Sequence, residues 1–425
     1  MLTTRPRGTN DILPEEIGKW HALERILRLV AGLYGFKEIR TPIFEHTELF
    51  LRGVGETTDI VEKEMYTFID RGKRSVTLRP EATASTVRAF VENKLYTGPQ
   101  PTKVYYLGPM FRYDRPQAGR YRQFHQFGVE VFGSRDPGVD AEVIAMAMEI
   151  YNRLGLKDLT VELNSVGCRV CRQVYRKNLQ RFLEARREKL CPICQERLEK
   201  NPLRILDCKN PDCQELTGDV PKIVDDLCED CSSHFQKVQE YLTAFGVSFH
   251  LDPRLVRGLD YYNQTAFEIV ARGIGAQASI GGGGRYDGLV EQCGGPDMPG
   301  IGYALGLERI LLTMEQQGIK LQTASSVHIF IAALGEKAQL AGAVIAQRLR
   351  QKGLVIERDY LDKSLKAQLK VADRYNASYT IILGENELEN NQVILRKMAD
   401  SSQVVIPLDE LEDYLTQELV EEDHS

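Results

Sequence analysis

The sequence lacks the features that mark membrane and exported proteins. None of its apolar runs approaches the roughly 18 residues that a membrane-spanning helix needs. The opening residues, MLTTRPRGTNDILPEE, have no apolar stretch behind their basic side chains, so no secretory signal is expected. We therefore expect the chain to remain in a reducing cytoplasm, where its nine cysteines would be thiols or metal ligands rather than disulfides.

A general excess of basic charge is also missing. The chain has 54 Lys and Arg against 60 Asp and Glu, which gives a formal net charge of −6. This balance excludes a protein that coats nucleic acid along its whole length, but it allows a local basic surface. The length of 425 residues predicts roughly two to four domains.

Residues 1–321 have the pattern of one α+β unit. Apolar residues at a 3/4 spacing predict a helix over 17–35, and KEIRTPIFEHTELF predicts a strand that breaks at Pro42. Aromatic and β-branched residues separated by polar turns predict antiparallel strands over 65–135. A further amphipathic helix is predicted over 136–155.

A cysteine-rich stretch interrupts this unit, and a polar linker ends it. Residues 165–240 hold eight of the nine cysteines and many charges, which predicts an inserted helical module. Strand signals return at 248–282, and QTASS at 322–326 is the predicted linker. Strands then alternate with helices over 327–425, which predicts a small α/β domain with a largely parallel sheet and an acidic tail.

The densest group of arginines lies in GPMFRYDRPQAGRYRQFHQFGVE, residues 108–130. It consists of Arg112, Arg115, Arg120 and Arg122, opposed only by Asp114. A strand arginine beside a basic loop suits phosphate, which it can grip with two parallel donors. Gln126 and Glu130 continue the strand with period two, and such a polar face is costly to bury without a ligand. The alternative is a solvated charged hairpin.

Three further motifs are ambiguous when each is taken singly. In LRPEATAS (78–85), the carboxylate of Glu81 could bind an amino group or cap a helix. In LVRGLDYYNQTAFE (255–268), an arginine, an aspartate and two tyrosines could line a pocket for a small polar aromatic ligand, or could lie on an ordinary strand. In GLERIL (306–311), Arg309 could face a triphosphate or form a surface salt bridge.

A glycine run at 281–284, followed by Arg285, is only superficially similar to a phosphate cradle. It has neither the Gly-Lys-Ser/Thr of a P-loop nor the context of a dinucleotide-binding fingerprint. Close packing of the backbone is its expected role.

The cysteines of the inserted stretch fall in four pairs. These are Cys168-x-x-Cys171, Cys191-x-x-Cys194, Cys208-x4-Cys213 and Cys228-x-x-Cys231, with His234 three residues beyond. Such spacing is typical of structural zinc sites, and reduced, packed thiols are the alternative. Cys293, outside this stretch, is expected to be a small packed residue.

Taken in order, these motifs resemble those of the class II aminoacyl-tRNA synthetases. Pro42 in EIRTPIFEHTELF resembles the first motif of the class, the Arg112 stretch resembles the second, and GLERIL resembles the third. LVRGLDYY and the opening PRGTNDILP resemble signatures of the histidyl-tRNA synthetase family. The resemblance runs from about residue 5 to about residue 415.

The resemblance implies a fold and a reaction. The fold is an α+β catalytic domain built on an antiparallel sheet over 1–321, with the helical insertion at about 165–240, followed by an anticodon-binding α/β domain at 327–425. The reaction uses ATP and Mg²⁺ to convert L-histidine to histidyl-adenylate, and then transfers histidine to tRNA(His). The first motif implies a homodimer. The family does not depend on zinc, so the metal question stays open.

The resemblance also implies roles for individual residues. Arg112 and Arg309 would hold the α- and γ-phosphates of ATP, and Arg257 would lie against the α-phosphate and the substrate carboxylate; these three would be catalytic. The implied histidine-binding set is Glu81, Ala82, Thr83, Arg112, Gln126, Glu130, Arg257, Tyr261 and Tyr262. The implied ATP-binding set is Arg112, Gln126, Glu130 and Arg309. Arg115 and Gln117 would approach the acceptor end of tRNA.

Two other interpretations remain. One is the synthetase-like regulatory subunit of ATP phosphoribosyltransferase, which lacks the C-terminal anticodon-binding domain. The other is a class II synthetase for proline, threonine or glycine, which RGLDYY and the short loop RPQAGRYRQF disfavour.

Overall fold

The computed structural model describes residues 3–55, 58–208, 210–271, 279–321 and 327–423. The chain separates into two compact units, Met1–Gln322 and Thr323–Ser425. The predicted linker at 322–326 lies outside the described residues. Among the described helices, none is long and apolar enough to cross a membrane.

The first unit mixes strands and helices. Its strands are β1 (Lys37–Glu38), β2 (Phe44–His46), β3 (Tyr66–Ile69), β4 (Ser75–Leu78), β5 (Thr102–Phe111), β6 (Gln123–Phe132), β7 (Leu159–Ser165), β8 (Phe249–Leu251), β9 (Asn263–Ala271), β10 (Ser279–Arg285) and β11 (Gly300–Gly306). Its α-helices are α1 (Pro14–Leu33), α2 (Thr47–Val54), α3 (Thr83–Glu92), α4 (Pro137–Arg153), α5 (Arg169–Glu184), α6 (Pro192–Lys200), α7 (Pro211–Leu216), α8 (Glu229–Ala244), α9 (Leu289–Gln292) and α10 (Leu307–Gln316). Short 3₁₀ or π turns occupy Ile60–Glu64, Leu95–Thr97, Arg187–Lys189, Pro202–Ile205 and Ile223–Asp226.

Eight strands form the main sheet, in the order β1-β5-β6-β11-β10-β9-β7-β8. Only the outer pairs β1/β5 and β7/β8 are parallel, and all other neighbours are antiparallel. The predicted antiparallel sheet is therefore confirmed. Helices α1, α4, α8 and α10 bury their apolar sides in one large core with this sheet.

The predicted first helix shows how local signals set these elements. Proline stands at the first position of α1, where its missing N–H is not needed. Trp20, Leu23 and Leu27 are buried along one side of the helix. The helix is followed by Gly35 at φ 77°, the left-handed conformation that glycine adopts readily.

A second, three-stranded sheet has the order β2-β4-β3. The strand predicted through KEIRTPIFEHTELF is wrong at its end, because Thr47–Val54 forms α2. Thr47, Phe50 and Val54 recur at helical spacing and are buried, so the period of the apolar residues favours a helix.

The insertion has a small core of its own. Residues of α5, α6, α7 and the turn Pro202–Ile205 pack together, with Leu179, Leu198 and Ile205 at the centre. Helix α8 instead contributes Phe235 and Val238 to the main core. The last helix of the cysteine-rich stretch is thus part of the body that carries the sheet.

The second unit has a five-stranded sheet flanked by helices. Its elements are β12 (Ile329–Ala333), α11 (Glu336–Gln351), β13 (Ile356–Arg358), α12 (Leu365–Arg374), β14 (Tyr379–Leu383), α13 (Glu385–Glu389), β15 (Gln392–Lys397), β16 (Gln403–Pro407) and α14 (Leu411–Asp423). Successive residues of β12 enter two different cores, so both faces of the sheet are covered.

The prediction of a largely parallel sheet in this unit is confirmed only for β13, β12 and β14, whose two pairs are parallel. The order is β13-β12-β14-β15-β16, and the pairs β14/β15 and β15/β16 are antiparallel. The short connection between β14 and β15 explains this, because a parallel crossover needs about a dozen residues or more. Strand β16 was not predicted.

Candidate active site

Three arginines from different elements meet beside the main sheet. Arg112 follows β5, Arg120 lies in the loop before β6, and Arg309 is in the first turn of α10. Burial lowers the pKa of Arg309, and the charges of Arg120 and Arg112 lower it further. Asp114 pairs with Arg120 at 3.1 Å and compensates only part of this charge. An anionic ligand would relieve the repulsion.

The two best-placed arginines keep donors free. Arg309 donates to the carbonyl oxygens of Ser279 at 2.6 Å and Gly119 at 3.3 Å, and it forms no ion pair with a described residue. Within the described ranges, the surface salt bridge considered for it is therefore not formed. Arg112 donates through Nε to the carbonyl oxygen of Pro80 at 2.8 Å, and its terminal nitrogens bond no residue in the described ranges. A planar fork of this kind suits phosphate oxygens.

Arg257 lies on the irregular segment 255–262, so the strand considered for this motif begins only at Asn263, in β9. It pairs with Glu268 on β9 and lies 5.5 Å from the ring of Tyr262. Burial opposes its charge, but Glu268, Tyr262 and Tyr261 together outweigh burial and raise the pKa of Arg257. Its Nε is buried without a partner among the described residues. A Cβ on Gly282 would lie 2.7 Å from Nη1, so the glycine run makes room for this arginine.

Glu81 caps the N-terminus of α3. Its carboxylate oxygens accept hydrogen bonds from the backbone N–H groups of Thr83 at 2.7 Å and Ala84 at 2.9 Å. Ala82, which precedes the helix, is fully buried. Burial raises the pKa of Glu81, and Arg112 lies close enough to act against the shift. The capping alternative is thus correct, and it fixes this carboxylate next to the arginine cluster.

Glu130 on β6 is the most deeply buried acid of the predicted site, at 1% exposure. Its Oε2 accepts a hydrogen bond from the hydroxyl of Tyr286, and its Oε1 has no partner in the described part of the chain. Burial raises the pKa of Glu130 from 4.5 to about 8. Gln126 lies four residues before Glu130 on β6 and therefore on the same face of the strand. Its Oε1 is also buried and has no hydrogen-bond partner among the described residues. The polar face predicted for β6 is therefore inside the protein.

Four tyrosines complete this pocket, and sequence analysis found only two of them. The rings of Tyr261 and Tyr262 lie 4.6 Å apart, and Tyr286 lies 5.7 Å from Tyr261. Tyr106 on β5 is also buried, opposite Gly128 on β6. Burial raises the pKa of all four hydroxyls, so they remain donors at neutral pH. The glycine opposite Tyr106 is the signal that could have found it.

The loop between β5 and β6 carries the predicted tRNA contacts. Arg115 and Gln117 are exposed, and Gln117 pairs through its backbone with Arg120. A cavity of about 430 Å³ lies between this loop and residues 5–10 of the N-terminal segment. The loop also supplies the Gly119 carbonyl oxygen to Arg309, so it borders the arginine cluster directly.

Arg285 belongs to a different network. It is fully buried and bonds Asp140 through Nε and Nη2, and Ser134 and Asp287 through Nη1. His234 also bonds Asp140, at 2.9 Å, and so lies apart from the cysteines it follows in sequence. The glycine run before Arg285 is tightly packed, as predicted: a Cβ on Gly283 would lie 2.0 Å from a backbone oxygen.

The eight cysteines of the insertion form two groups of four, and each cysteine contributes one Sγ atom as a possible metal ligand. The groups are Cys168, Cys171, Cys228 and Cys231, and Cys191, Cys194, Cys208 and Cys213. Cys293 packs against a separate apolar cluster, as expected.

The cleft thus joins two chemical environments. Arg112, Arg257 and Arg309 offer donors suited to a polyphosphate and a carboxylate. Glu81, Glu130 and the tyrosines form a buried cluster whose groups can accept hydrogen bonds from, and donate them to, a small polar molecule. The two environments together suit a reaction between two bound substrates.

The chain is similar to known proteins over nearly its whole length. A family model for histidyl-tRNA synthetase matches residues 8–310, and one for an anticodon-binding domain matches residues 328–418. The histidine--tRNA ligase of Desulforamulus reducens is 61% identical over 97% of this chain and 98% of its own length. That of Pelotomaculum thermopropionicum is 59% identical over 99% of each.

A solved structure supports the same relationship. Apo histidyl-tRNA synthetase from S. aureus superimposes with a TM-score of 0.84 at 42% identity, and the match covers 97% of this chain and 100% of that one. The matched family model spans most of the chain, and the relatives match over nearly its full length. The chain belongs to the histidyl-tRNA synthetase family.

Proposed function

We propose that this chain is a histidine--tRNA ligase, which activates L-histidine with ATP and transfers it to the 3′ end of tRNA(His). The observation that carries the proposal is the convergence of Arg112, Arg257 and Arg309 on a pocket lined by Glu81 and Glu130. Relatives with this name match over nearly the whole chain. ATP would enter as its Mg²⁺ complex.

In the first step a carboxylate oxygen of histidine attacks the α-phosphorus of ATP, and pyrophosphate leaves. Both reactants are negatively charged, so fixed cations that contact them lower the barrier. Arg112 and Arg309 would hold the α- and γ-phosphates, and Arg257 would contact the α-phosphate and the substrate carboxylate. Positioning supplies much of the remaining acceleration, which is consistent with a site that offers no protein nucleophile among its described residues.

Histidine would be recognised at both ends. Glu81, Thr83 and Gln126 would bind the α-amino group, with Ala82 beside them, and Glu130 and Tyr262 would contact the imidazole, with Tyr261 adjacent. The unpartnered Oε1 of Glu130 can accept a ring N–H. A pocket that pairs both ring nitrogens rejects analogues without them, by about 10⁴–10⁵-fold in known cases, because its own buried groups would lose their partners.

In the second step a terminal ribose hydroxyl of tRNA attacks the carbonyl carbon of the adenylate, and AMP leaves. The exposed Arg115 and Gln117 border the arginine cluster, so we propose that their loop receives the acceptor end of tRNA. Arg5 and Arg7 on the N-terminal segment line the cavity beside this loop and add positive charge. Phosphates of the acceptor stem would be attracted there.

We also propose that the unit at 327–425 binds the anticodon, and that 322–326 is the linker before it. Residues 327–399 carry 11 Lys and Arg against 8 Asp and Glu, whereas 400–425 carry nine acidic residues and no Lys or Arg. A mildly basic surface can hold phosphates while unstacked bases are read on their edges. A chain ending at Ala324 should retain histidine-dependent pyrophosphate exchange but lose most aminoacylation through a raised KM for tRNA. Charging with unchanged KM would contradict this role.

The three-stranded sheet is the surface that we propose for a homodimer. Ile43 and Phe44, which follow Pro42, and Phe68 and Ile69 on β3 are exposed apolar residues. Grouped apolar side chains of this kind favour association. Sedimentation should give about twice the chain mass of 48.1 kDa, and an active monomer would contradict the proposal. The site of action would be the cytoplasm, where tRNA is charged and thiols stay reduced.

One observation disfavours the alternative that the chain is the regulatory subunit of ATP phosphoribosyltransferase. That subunit lacks an anticodon-binding domain, whereas residues 328–418 match one.

Aminoacylation tests the proposed ligase function: tRNA(His) with ATP and labelled histidine should give acid-precipitable product. Periodate-oxidised tRNA(His), which lacks the ribose hydroxyls, is the control. Absence of charging by a folded protein that still exchanges pyrophosphate would overturn the transfer step.

A further inference from the structure

The eight cysteines of the insertion are brought together from distant parts of the sequence. Cys168 and Cys171 meet Cys228 and Cys231, whereas Cys191 and Cys194 meet Cys208 and Cys213. Within each group all four sulfur atoms lie within 4.8 Å of one another. The outer two pairs therefore enclose the inner two, so the arrangement is nested rather than sequential.

The sulfur spacing fits a single tetrahedral ion. Sulfurs at about 2.3 Å from a central zinc lie about 3.8 Å apart. The Sγ separations are 3.6 Å for Cys168–Cys171, 4.0 Å for Cys168–Cys228 and 3.9 Å for Cys191–Cys208. A disulfide requires about 2.05 Å, and all eight cysteines are free. In an iron–sulfur cluster the four cysteines are divided among two or four irons, which would spread the sulfurs further apart.

Backbone placement favours the thiolate form. Cys168, Cys191 and Cys228 stand at the N-caps of α5, α6 and α8, where the helix dipole stabilises negative charge. The N–H of Cys228 donates to the sulfur of Cys171 at 3.1 Å, and the N–H of Cys191 donates to that of Cys213 at 3.3 Å. Thiolate is the form that binds metal.

We propose that each group binds one structural Zn²⁺ ion, so that the insertion is a two-zinc module. All-sulfur, closed coordination by four cysteines is the signature of a structural rather than a catalytic zinc site. Binding displaces the remaining thiol protons to solvent. This inference does not depend on the proposed ligase activity, because it stands on the cysteine geometry alone.

The outer zinc would close the insertion where it leaves and rejoins the main body. Cys168 follows β7 of the main sheet, and Cys228 begins α8, which packs against α4 in the main core. An ion held by both ends restricts the intervening loop in the unfolded chain, as a disulfide would.

The inner zinc would hold the insertion against the candidate active site. Cys194 and Cys213 lie in the core that also buries Ile205. The adjoining Arg204 reaches Asp59 at 3.3 Å and the carbonyl oxygen of Arg257 at 3.5 Å. Loss of this ion would therefore loosen a contact to the segment that carries Arg257.

Metal analysis of the full-length protein tests the proposal. Protein purified with a thiol reductant and without chelator should contain about two zinc ions per chain. Cys171→Ser and Cys213→Ser should each retain about one, because each removes a ligand from one group only. Cys293→Ser, which alters the cysteine outside both groups, should retain two.

A titration of the unaltered protein covers the case in which the serine variants fail to fold. Stepwise addition of p-hydroxymercuribenzoate, with a zinc-sensitive dye, should release both zinc ions as eight thiols react. After removal of zinc, added Co²⁺ should give the intense sulfur-to-metal absorption of tetrathiolate sites. Less than about half a zinc per chain, iron in its place, or a mass that shows disulfides would overturn the proposal.

Discussion

Two buried charged networks in the first unit use the same residue types in opposite ways. In the Asp140–Arg285 network, all three guanidinium nitrogens of Arg285 have hydrogen-bond partners, and Asp140 is shared with Thr265 and His234. In the cleft, the terminal nitrogens of Arg112 and one oxygen of Glu130 have none among the described residues. A buried polar group without a partner is costly, so the contrast separates a network that maintains the fold from one completed by substrates.

Disrupting the Asp140–Arg285 network should have the largest effect on the stability of the fold. Arg285→Met leaves Asp140 buried without its main counter-charge, and removing one member of a buried pair costs about 3–5 kcal/mol. Urea unfolding should show this loss. The control is Arg135→Met, whose pair with Asp297 is largely exposed and should change stability by less than about 1 kcal/mol. Equal losses in the two variants would remove the distinction drawn for Arg285.

The opposite behaviour is expected of Arg257. Arg257→Ala should lower the rate of adenylate formation by about 10²–10³-fold, because its charge acts on the transition state. Histidine binding should weaken far less, and unfolding should change less than in Arg285→Met, since water reaches Glu268. Pre-steady-state kinetics measures the rate of adenylate formation separately from the affinity for histidine, and Arg254→Ala, at an exposed residue, is the control. A change in KM alone would refute the assigned role.

The exposed loop should affect one step only. Gln117→Ala is expected to slow transfer to tRNA by roughly tenfold, as for loss of one or two hydrogen bonds, while pyrophosphate exchange stays near normal. Single-turnover transfer from preformed adenylate measures the first quantity, with the exposed Gln292→Ala as control. Equal losses in both steps would show that the loop serves ATP instead.

The last prediction concerns the pH dependence of stability. Burial raises the pKa of Glu130 from 4.5 to about 8, so the folded protein holds a proton that the unfolded chain releases. The resulting stability is full below about pH 4.5 and is lost as pH rises towards 8. Glu130→Gln should therefore lose less unfolding free energy between about pH 5 and pH 8 than the unaltered protein. The exposed Glu62→Gln is the control, and parallel pH profiles for all three would contradict the shift.

Much of the cleft could be predicted because its residues lie in short motifs. Local signals mark the Arg112 stretch, Glu81, the 255–262 segment and GLERIL. The order of these motifs along the chain then indicated the family, and the family implied the roles of the residues. Strands β5 and β6 of the main sheet followed from aromatic and β-branched runs, whereas β7 was not predicted. The fold class of both units is as predicted.

Features that depend on distant contacts could not be predicted. Asp140 and Arg285 are 145 residues apart, and nothing local pairs them. Tyr106 is placed by the register of β5 against β6, and Tyr286 follows the end of β10. The nesting of the cysteine pairs is equally non-local, since spacing gives the pairs but not their partners. Helix α2 was missed because the β-branched residues of KEIRTPIFEHTELF predicted a strand that continued into it.

The central claim is that the cleft activates histidine and no other amino acid. ATP–pyrophosphate exchange, measured with ATP, Mg²⁺ and each of the twenty amino acids in turn, tests it directly, and needs no tRNA. The account predicts rapid exchange with histidine and background exchange with the others. Faster exchange with proline, threonine or glycine, or none with histidine, would contradict it.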